Sequence, residues 1–192
     1  QSFGKGNLLI SISEGATYTN YTTKGALDGI KRDHIAGDRD PLTIEYGVSK
    51  RWGVGINLGG DILYADTKAM YGYETKLNRV PVVTSEITAD VHYHYFITDH
   101  TDLSAVASIG FAGVTIDGAS GDSHYEYNAS GGIIRIGTEA RYYFKKRFGV
   151  LGMVSFYSSG CSTKDEKPGT FGTGISTHIN GFAWEFGLCY RI

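Results

Sequence analysis

Large apolar residues recur at every second position in segment after segment of this chain. In "GFAWEFGLCYRI", Phe182, Trp184, Phe186, Leu188, Tyr190 and Ile192 share one face, while Gly181, Ala183, Glu185, Gly187, Cys189 and Arg191 share the other. A period of two is the signature of a strand whose faces meet different surroundings. Leu42, Ile44, Tyr46 and Val48 repeat it, as do Val54, Ile56, Leu58, Ile62 and Tyr64. In "EITADVHYHYF", Ile87, Ala89, Val91, Tyr93 and Tyr95 oppose Glu86, Thr88, Asp90, His92 and His94. Leu103 to Phe111, Ile134 to Phe144, and Leu8, Ile10 and Ile12 follow suit, and Val150, Val154 and Phe156 mark the least regular segment. Eight strands are predicted, and no stretch shows a convincing helical period.

The connections alternate as well. "SKRWG", "ITDHTD" and "KKRF" are tight, whereas the other links are polar stretches of more than a dozen residues, among them 19–40 and 115–131. All the long links fall at one end of the hairpins and both termini at the other. "EYGVSKRWGVG" and "RYYFKKRFGVLG" form a weak internal repeat of the short-turn hairpin.

Alternation alone does not orient a sheet, so a soluble lipocalin-like barrel and a transmembrane barrel share this pattern. Three features favour the second. The polar face mixes opposite charges with Gly, Ala and Ser, which suits the narrow interior of an eight-stranded barrel. The expected lumen charges are Glu45, Asp61, Glu86, Asp90, Arg135, Glu139, Arg141, Glu185 and Arg191, paired with one another because isolated buried charges are costly. Aromatics gather at the short-turn rim: Tyr46, Trp52, Tyr93, Tyr95, Tyr142, Phe144, Phe148 and Tyr190, where a membrane–water boundary would place them. Short turns alternating with long loops are the rule in outer-membrane barrels. The expected architecture is therefore all-β, an eight-stranded antiparallel up-and-down transmembrane barrel spanning 1–192 as a single domain.

Composition agrees. The 192 residues include 27 Gly, 14 Tyr and only 3 Pro, without the period of collagen or the aromatic poverty of disorder. Formal net charge is −2, so neither composition nor charge points to nucleic acid. No apolar run approaches the roughly 20 residues of a membrane helix, which says nothing about strands. The start at Gln1 reads as a processed N-terminus.

The terminal "FAWEFGLCYRI" and the repeated Y…K-R-[WF]-G-V hairpins resemble small Gram-negative outer-membrane barrels. The resemblance is to the OmpA/OmpX-like superfamily, particularly the outer-membrane β-barrel domain proteins abundant in Bacteroidota. It covers essentially the whole chain and implies an outer-membrane location with both termini periplasmic. Barrels of that family usually end in Phe; this chain ends in Ile192 with Tyr190 two before it. It also implies partners: membrane lipids, lipopolysaccharide, and an extracellular ligand or partner membrane protein met by loops 19–40 and 115–131.

Sites of chemistry are few. Asp90, His92 and His94 alternate on one face, but the bland reading, imidazoles bonded to lumen acids or water, outweighs a metal site, and no second ligand pair is visible. His178, Ser176 and Glu185 hold the ingredients of a lipid A-modifying enzyme, yet His178-Ile179-Asn180 lacks the nucleophile of a His-x-Ser-Asn motif. "GVGINLGG" has no following helix and is read as small lumen residues rather than a dinucleotide site. Cys161 and Cys189 fall at opposite ends, beyond disulfide reach. No cofactor and no metal are expected. The expected role is structural or surface-interacting, through long extracellular loops, with a charge-plugged lumen. A narrow conduit is the alternative; with six acids against three arginines on the inward list, it would favour cations.

Overall fold

The computed structural model describes residues 3–26, 29–66, 79–120, 123–145, 147–163 and 176–192. Ten β segments follow in order: β1 (Leu8–Ala26), β2 (Gly29–Arg39), β3 (Leu42–Gly47), β4 (Trp52–Gly59), β5 (Asp61–Asp66), β6 (Arg79–Ile97), β7 (Thr101–Ser120), β8 (Ser123–Tyr143), β9 (Phe148–Ser162) and β10 (Ser176–Arg191). They amount to eight strands. The register of β1 runs unbroken past Asp40–Pro41, with Ile12 opposite Leu42 and Gly15 opposite Arg39. That of β6 runs unbroken past Gly60, with Leu58 opposite Ile87 and Ile62 opposite Val83. Pro41 has no N–H to give a ladder, and its carbonyl still accepts from Ser13 N at 3.1 Å.

All pairings are antiparallel, and β10 pairs with β1 from Leu9–Arg191 to Lys24–Ser176, so the sheet closes on itself. A path of registered partners from Tyr18 passes through Phe182, Phe156, Ile136, Ala107, Val91, Val54 and Tyr46, and returns to β1 at Leu8, ten residues lower. That stagger tilts the strands about 40° from the axis, within the usual range for a closed barrel. Within the closed ring no described strand has a free edge, the condition for placing β structure in a bilayer.

Every residue on that path faces outward. Most of the large apolar residues lie on the outer wall, among them Phe111 at 74% exposure and Phe186 at 71%. Water-soluble barrels bury such a face; here the inner face holds the ionic groups, so the lipocalin-like arrangement is not the one observed. The outer belt is broken on one sector, where Glu14, Asp38 and Asp40 point outward from β1 and the strand beside it. Glu14 pairs with Phe186 inside the apolar belt.

Two of the expected long loops are not loops. β1 and β2 pair from Gly15–Arg39 to Ala26–Gly29, and β7 and β8 pair continuously out to Ser120–Ser123. Residues 19–40 and 115–131 are thus mostly ladder. Their polar sequences hide it because the belt's alternation ends there, while backbone pairing needs no apolar face. The other two long connections, 67–78 and 164–175, lie outside the described residues.

Candidate functional site

The lumen is the site that the barrel assembles, and its inner face holds both apolar clusters and buried charges. At the short-turn end, Phe3, Leu9, Tyr143, Leu151 and Cys189 form an apolar floor. Toward the long hairpins, Tyr21, Ile35, Leu63, Val82, Val114, Ile133, Tyr157, Cys161 and Ile179 belong to a larger apolar cluster. The buried charges form two networks, the second level with the short-turn cluster, where Leu9 is registered with Glu45 and Leu151 with Arg141.

The first centres on Arg39, whose side chain is fully buried. Its Nε donates to Glu185 at 2.8 Å, Nη1 to Asp61 at 3.3 Å and Nη2 to Glu86 at 2.5 Å. Arg135 donates from Nη2 to both Glu86 oxygens at 2.7 Å, and its guanidinium lies 5.6 Å from the Tyr157 ring centroid. Hydroxyls complete the shells. Thr84 donates to Asp61 at 3.0 Å, Ser13 to Glu185 at 3.2 Å and Thr88 to Asp90 at 2.7 Å. One guanidinium thus gathers carboxylates from three separate strands, a use suited to its forked donors.

The second network centres on Glu45. Its Oε2 accepts from Arg141 Nη2 at 2.6 Å, and its Oε1 lies 2.8 Å from His94 Nε2. His94 Nδ1 is 2.7 Å from Asp102, so two carboxylates hold the imidazole from both sides. Arg141 also makes ion pairs with Glu139 at 2.5 Å and Asp102 at 3.7 Å. Gly53 makes room for this group: a Cβ there would sit 2.0 Å from Glu45 Oε1. Phe3 closes the network from below, its ring stacked on His94 with centroids 3.5 Å apart. Gly47 admits that N-terminal segment, since a Cβ at 47 would lie 2.2 Å from the Gly4 carbonyl oxygen.

Eight of the nine lumen charges read from the sequence are buried here: Glu45, Asp61, Glu86, Asp90, Arg135, Glu139, Arg141 and Glu185. Arg191 is the exception, half-buried at the mouth with its guanidinium 5.2 Å from the Tyr143 ring centroid. Arg39 and Asp102 were missed. Arg39 reads as a loop charge, yet carrying the alternation of Glu45 and Thr43 back through Pro41 places it inward. Asp102 has the same signal, two positions before inward Ser104. Buried polar atoms without a hydrogen-bond partner include both ring nitrogens of His92, Asn57 Oδ1, Arg135 Nε, Arg141 Nε and Asp102 Oδ2.

The eight rim aromatics all lie at the short-turn end, Tyr46, Trp52, Tyr95, Tyr142, Phe144 and Phe148 exposed outward, Tyr93 and Tyr190 half-buried. Tyr95 is the extra residue of a bulge between His94 and Phe96, so Phe96 joins the outer face beside it. The enzyme ingredients do not converge: His178 faces out of the wall of β10 and Glu185 faces in. Cys161 and Cys189 are free, one in each apolar cluster. Among the described residues no group of three His, Cys, Asp or Glu is arranged to hold a metal ion.

No protein-family model matches the chain, and no curated protein matches it. Solved structures do. The outer membrane protein OprG from Pseudomonas aeruginosa matches with a TM-score of 0.56 at 12% identity, over 100% of this chain and 98% of that one. The outer membrane protein AlkL, solved in DMPC lipid bilayers, gives 0.58 at 14%, over 100% and 92%. Neisserial surface protein A gives 0.51 at 10%, over 94% and 96%. At such identities the likeness establishes the fold: an antiparallel eight-strand ring of the outer-membrane barrel type.

Proposed function

We propose that this chain is a closed, non-catalytic barrel of the Gram-negative outer membrane, OmpA/OmpX-like in kind, whose projecting hairpins carry its interactions. The observation that carries the reading is the filled lumen. Two ion-pair networks tie the inner wall together across the axis, and apolar clusters pack the same interior at the short-turn end and toward the long hairpins. Side chains bonded across so narrow an interior oppose the passage of water and solute. The rigid barrel then serves as a mount for the hairpins β1–β2 and β7–β8, and exposed elements on a rigid scaffold are where recognition usually sits. With the termini at the short-turn mouth, the hairpins face the cell exterior and lipopolysaccharide. Kinship with the Bacteroidota barrel-domain proteins is part of the same proposal, resting on the terminal strand and the repeated short-turn hairpin.

Planar-bilayer recording tests this reading. Purified barrel is expected to give no single-channel steps, and expression is expected to leave the mass spectrum of lipid A unchanged. Well-resolved steps would replace the closed barrel with a conduit, and new lipid A species would replace it with an enzyme.

One observation favours the conduit as the second reading. Among the described residues seven buried acids (Glu45, Asp61, Glu86, Asp90, Asp102, Glu139 and Glu185) face three buried arginines. The orphaned polar atoms around His92 and Arg141 also suit water. Any current through this interior would be carried by cations.

A further inference from the structure

The three short turns are built alike, and two of them carry a feature that the third lacks. In the β3–β4 turn, Ser49 N donates to Trp52 O at 3.1 Å, and the carbonyl of Arg51 accepts from His94 N at 2.8 Å. In the β8–β9 turn, Lys145 N donates to Phe148 O at 3.3 Å, and the carbonyl of Arg147 accepts from Arg191 N at 2.8 Å. Trp52 is registered with Tyr93, and Phe148 with Tyr190. The ring pairs have nearly the same geometry, centroids 4.9 Å apart at 48° in one and 4.7 Å at 55° in the other. In each, the arginine Nη1 reaches the hydroxyl of that tyrosine, at 3.5 Å from Arg51 and 3.4 Å from Arg147. Each turn also exposes a lysine, Lys50 or Lys145.

Half the ring separates the two constructions in either direction: β4/β5, β6, β7 and β8 one way, β9, β10, β1 and β2/β3 the other. The repeat seen in the sequence is therefore a two-fold feature of the rim. The β6–β7 turn has the same backbone frame, with the carbonyl of His100 accepting from Tyr143 N at 2.7 Å and Thr101 registered with Tyr142. It has the tyrosine but puts Asp99, His100 and Thr101 where the others have lysine, arginine and an aromatic ring.

We infer that the β3–β4 and β8–β9 turns form two equivalent sites, on opposite sides of the barrel, for the phosphate of an anionic phospholipid. The aromatic pair stands at the level where acyl chains give way to headgroups. The guanidinium, tethered to the tyrosine hydroxyl, is held at that level rather than free in water. A forked cation beside a point-charge lysine matches the phosphate diester of an anionic lipid, which has no choline or ethanolamine cation to compete. The β6–β7 turn is excluded because it carries the carboxylate of Asp99 and, among the described residues, neither arginine nor lysine. This inference rests on the barrel's seat in a bilayer.

Native mass spectrometry of the detergent-released barrel with short-chain phosphatidylglycerol tests it. The unaltered barrel should retain two lipids, Arg51→Gln or Arg147→Gln one, and the double variant none, with phosphatidylcholine and inorganic phosphate not retained. Heat-modifiable migration reports that each variant is folded; should the double variant fail to fold, each single variant must still lose one lipid. Asp99→Lys, His100→Arg and Thr101→Trp together should add a third. Retention of two lipids by the arginine variants, equal retention of phosphatidylcholine, or displacement of the lipid by inorganic phosphate would overturn the assignment. A barrel that inserts into vesicles but holds no phosphatidylglycerol sinks this inference alone, whereas one that does not insert sinks the membrane reading.

Discussion

Gly53 shows how far a single residue can be constrained by the lumen. Its missing Cβ is the space that the Glu45 carboxylate occupies, and that carboxylate is shared by Arg141 and His94. Gly53→Ala must displace a doubly bonded charged group rather than a flexible apolar tip. A cost of about 1–3 kcal/mol follows, in the range of overpacked cores. Urea unfolding of the barrel in vesicles, followed by tryptophan fluorescence, reads it directly, and an unchanged midpoint would show that Glu45 can relax. The same logic applies to Arg39. Losing one of its three carboxylate partners leaves a buried guanidinium still paired, while losing Arg39 takes the only arginine from Asp61 and Glu185 among the described residues and leaves Glu86 to Arg135.

At the scale of the element, the hairpin β7–β8 is the plainest departure from expectation. Its ladder continues from Val114–Ala129 to Ser120–Ser123, beyond the last large apolar residue of the outer belt on β7, Phe111. Up there the inner face, not the outer, carries apolar residues: Val114, Ile116 and Ala129 are buried in the upper cluster. That inversion holds the hairpin upright on the barrel. Amide exchange at Val114, Ile116 and Ala129 is expected to be slowed by orders of magnitude relative to an open loop. Exchange on the timescale of seconds, with the barrel intact, would return this segment to a loop.

The whole molecule sets one surface against another. Apolar side chains clothe most of the wall, and the short-turn rim carries its aromatic ring, yet the sector of Glu14, Asp38 and Asp40 interrupts the belt. Glu14 sits opposite Phe186 and beside Ile12, where acyl chains would contact it. A carboxylate on the lipid face is destabilising, though less so than a lysine or arginine. Glu14→Leu should therefore raise the stability of the barrel in vesicles by about 1 kcal/mol, measured as a higher urea midpoint. No gain would mean that this sector is not in hydrocarbon.

The period of two along the chain determined the strands, their faces and the sites of the short turns, because alternation reports directly on two unlike surroundings. It placed Glu45, Arg141 and Glu185 inward correctly for the same reason. It failed at Arg39 and along 115–131, where proline or a polar sequence masks a ladder held by backbone bonds that leave no trace in side-chain type. Which acid meets which arginine, the stacking of Phe3 on His94, and the opposition of the two basic turns were decided only by closure. Those contacts join residues far apart in the chain, and the ten-residue stagger of the ring, not local sequence, brings them together.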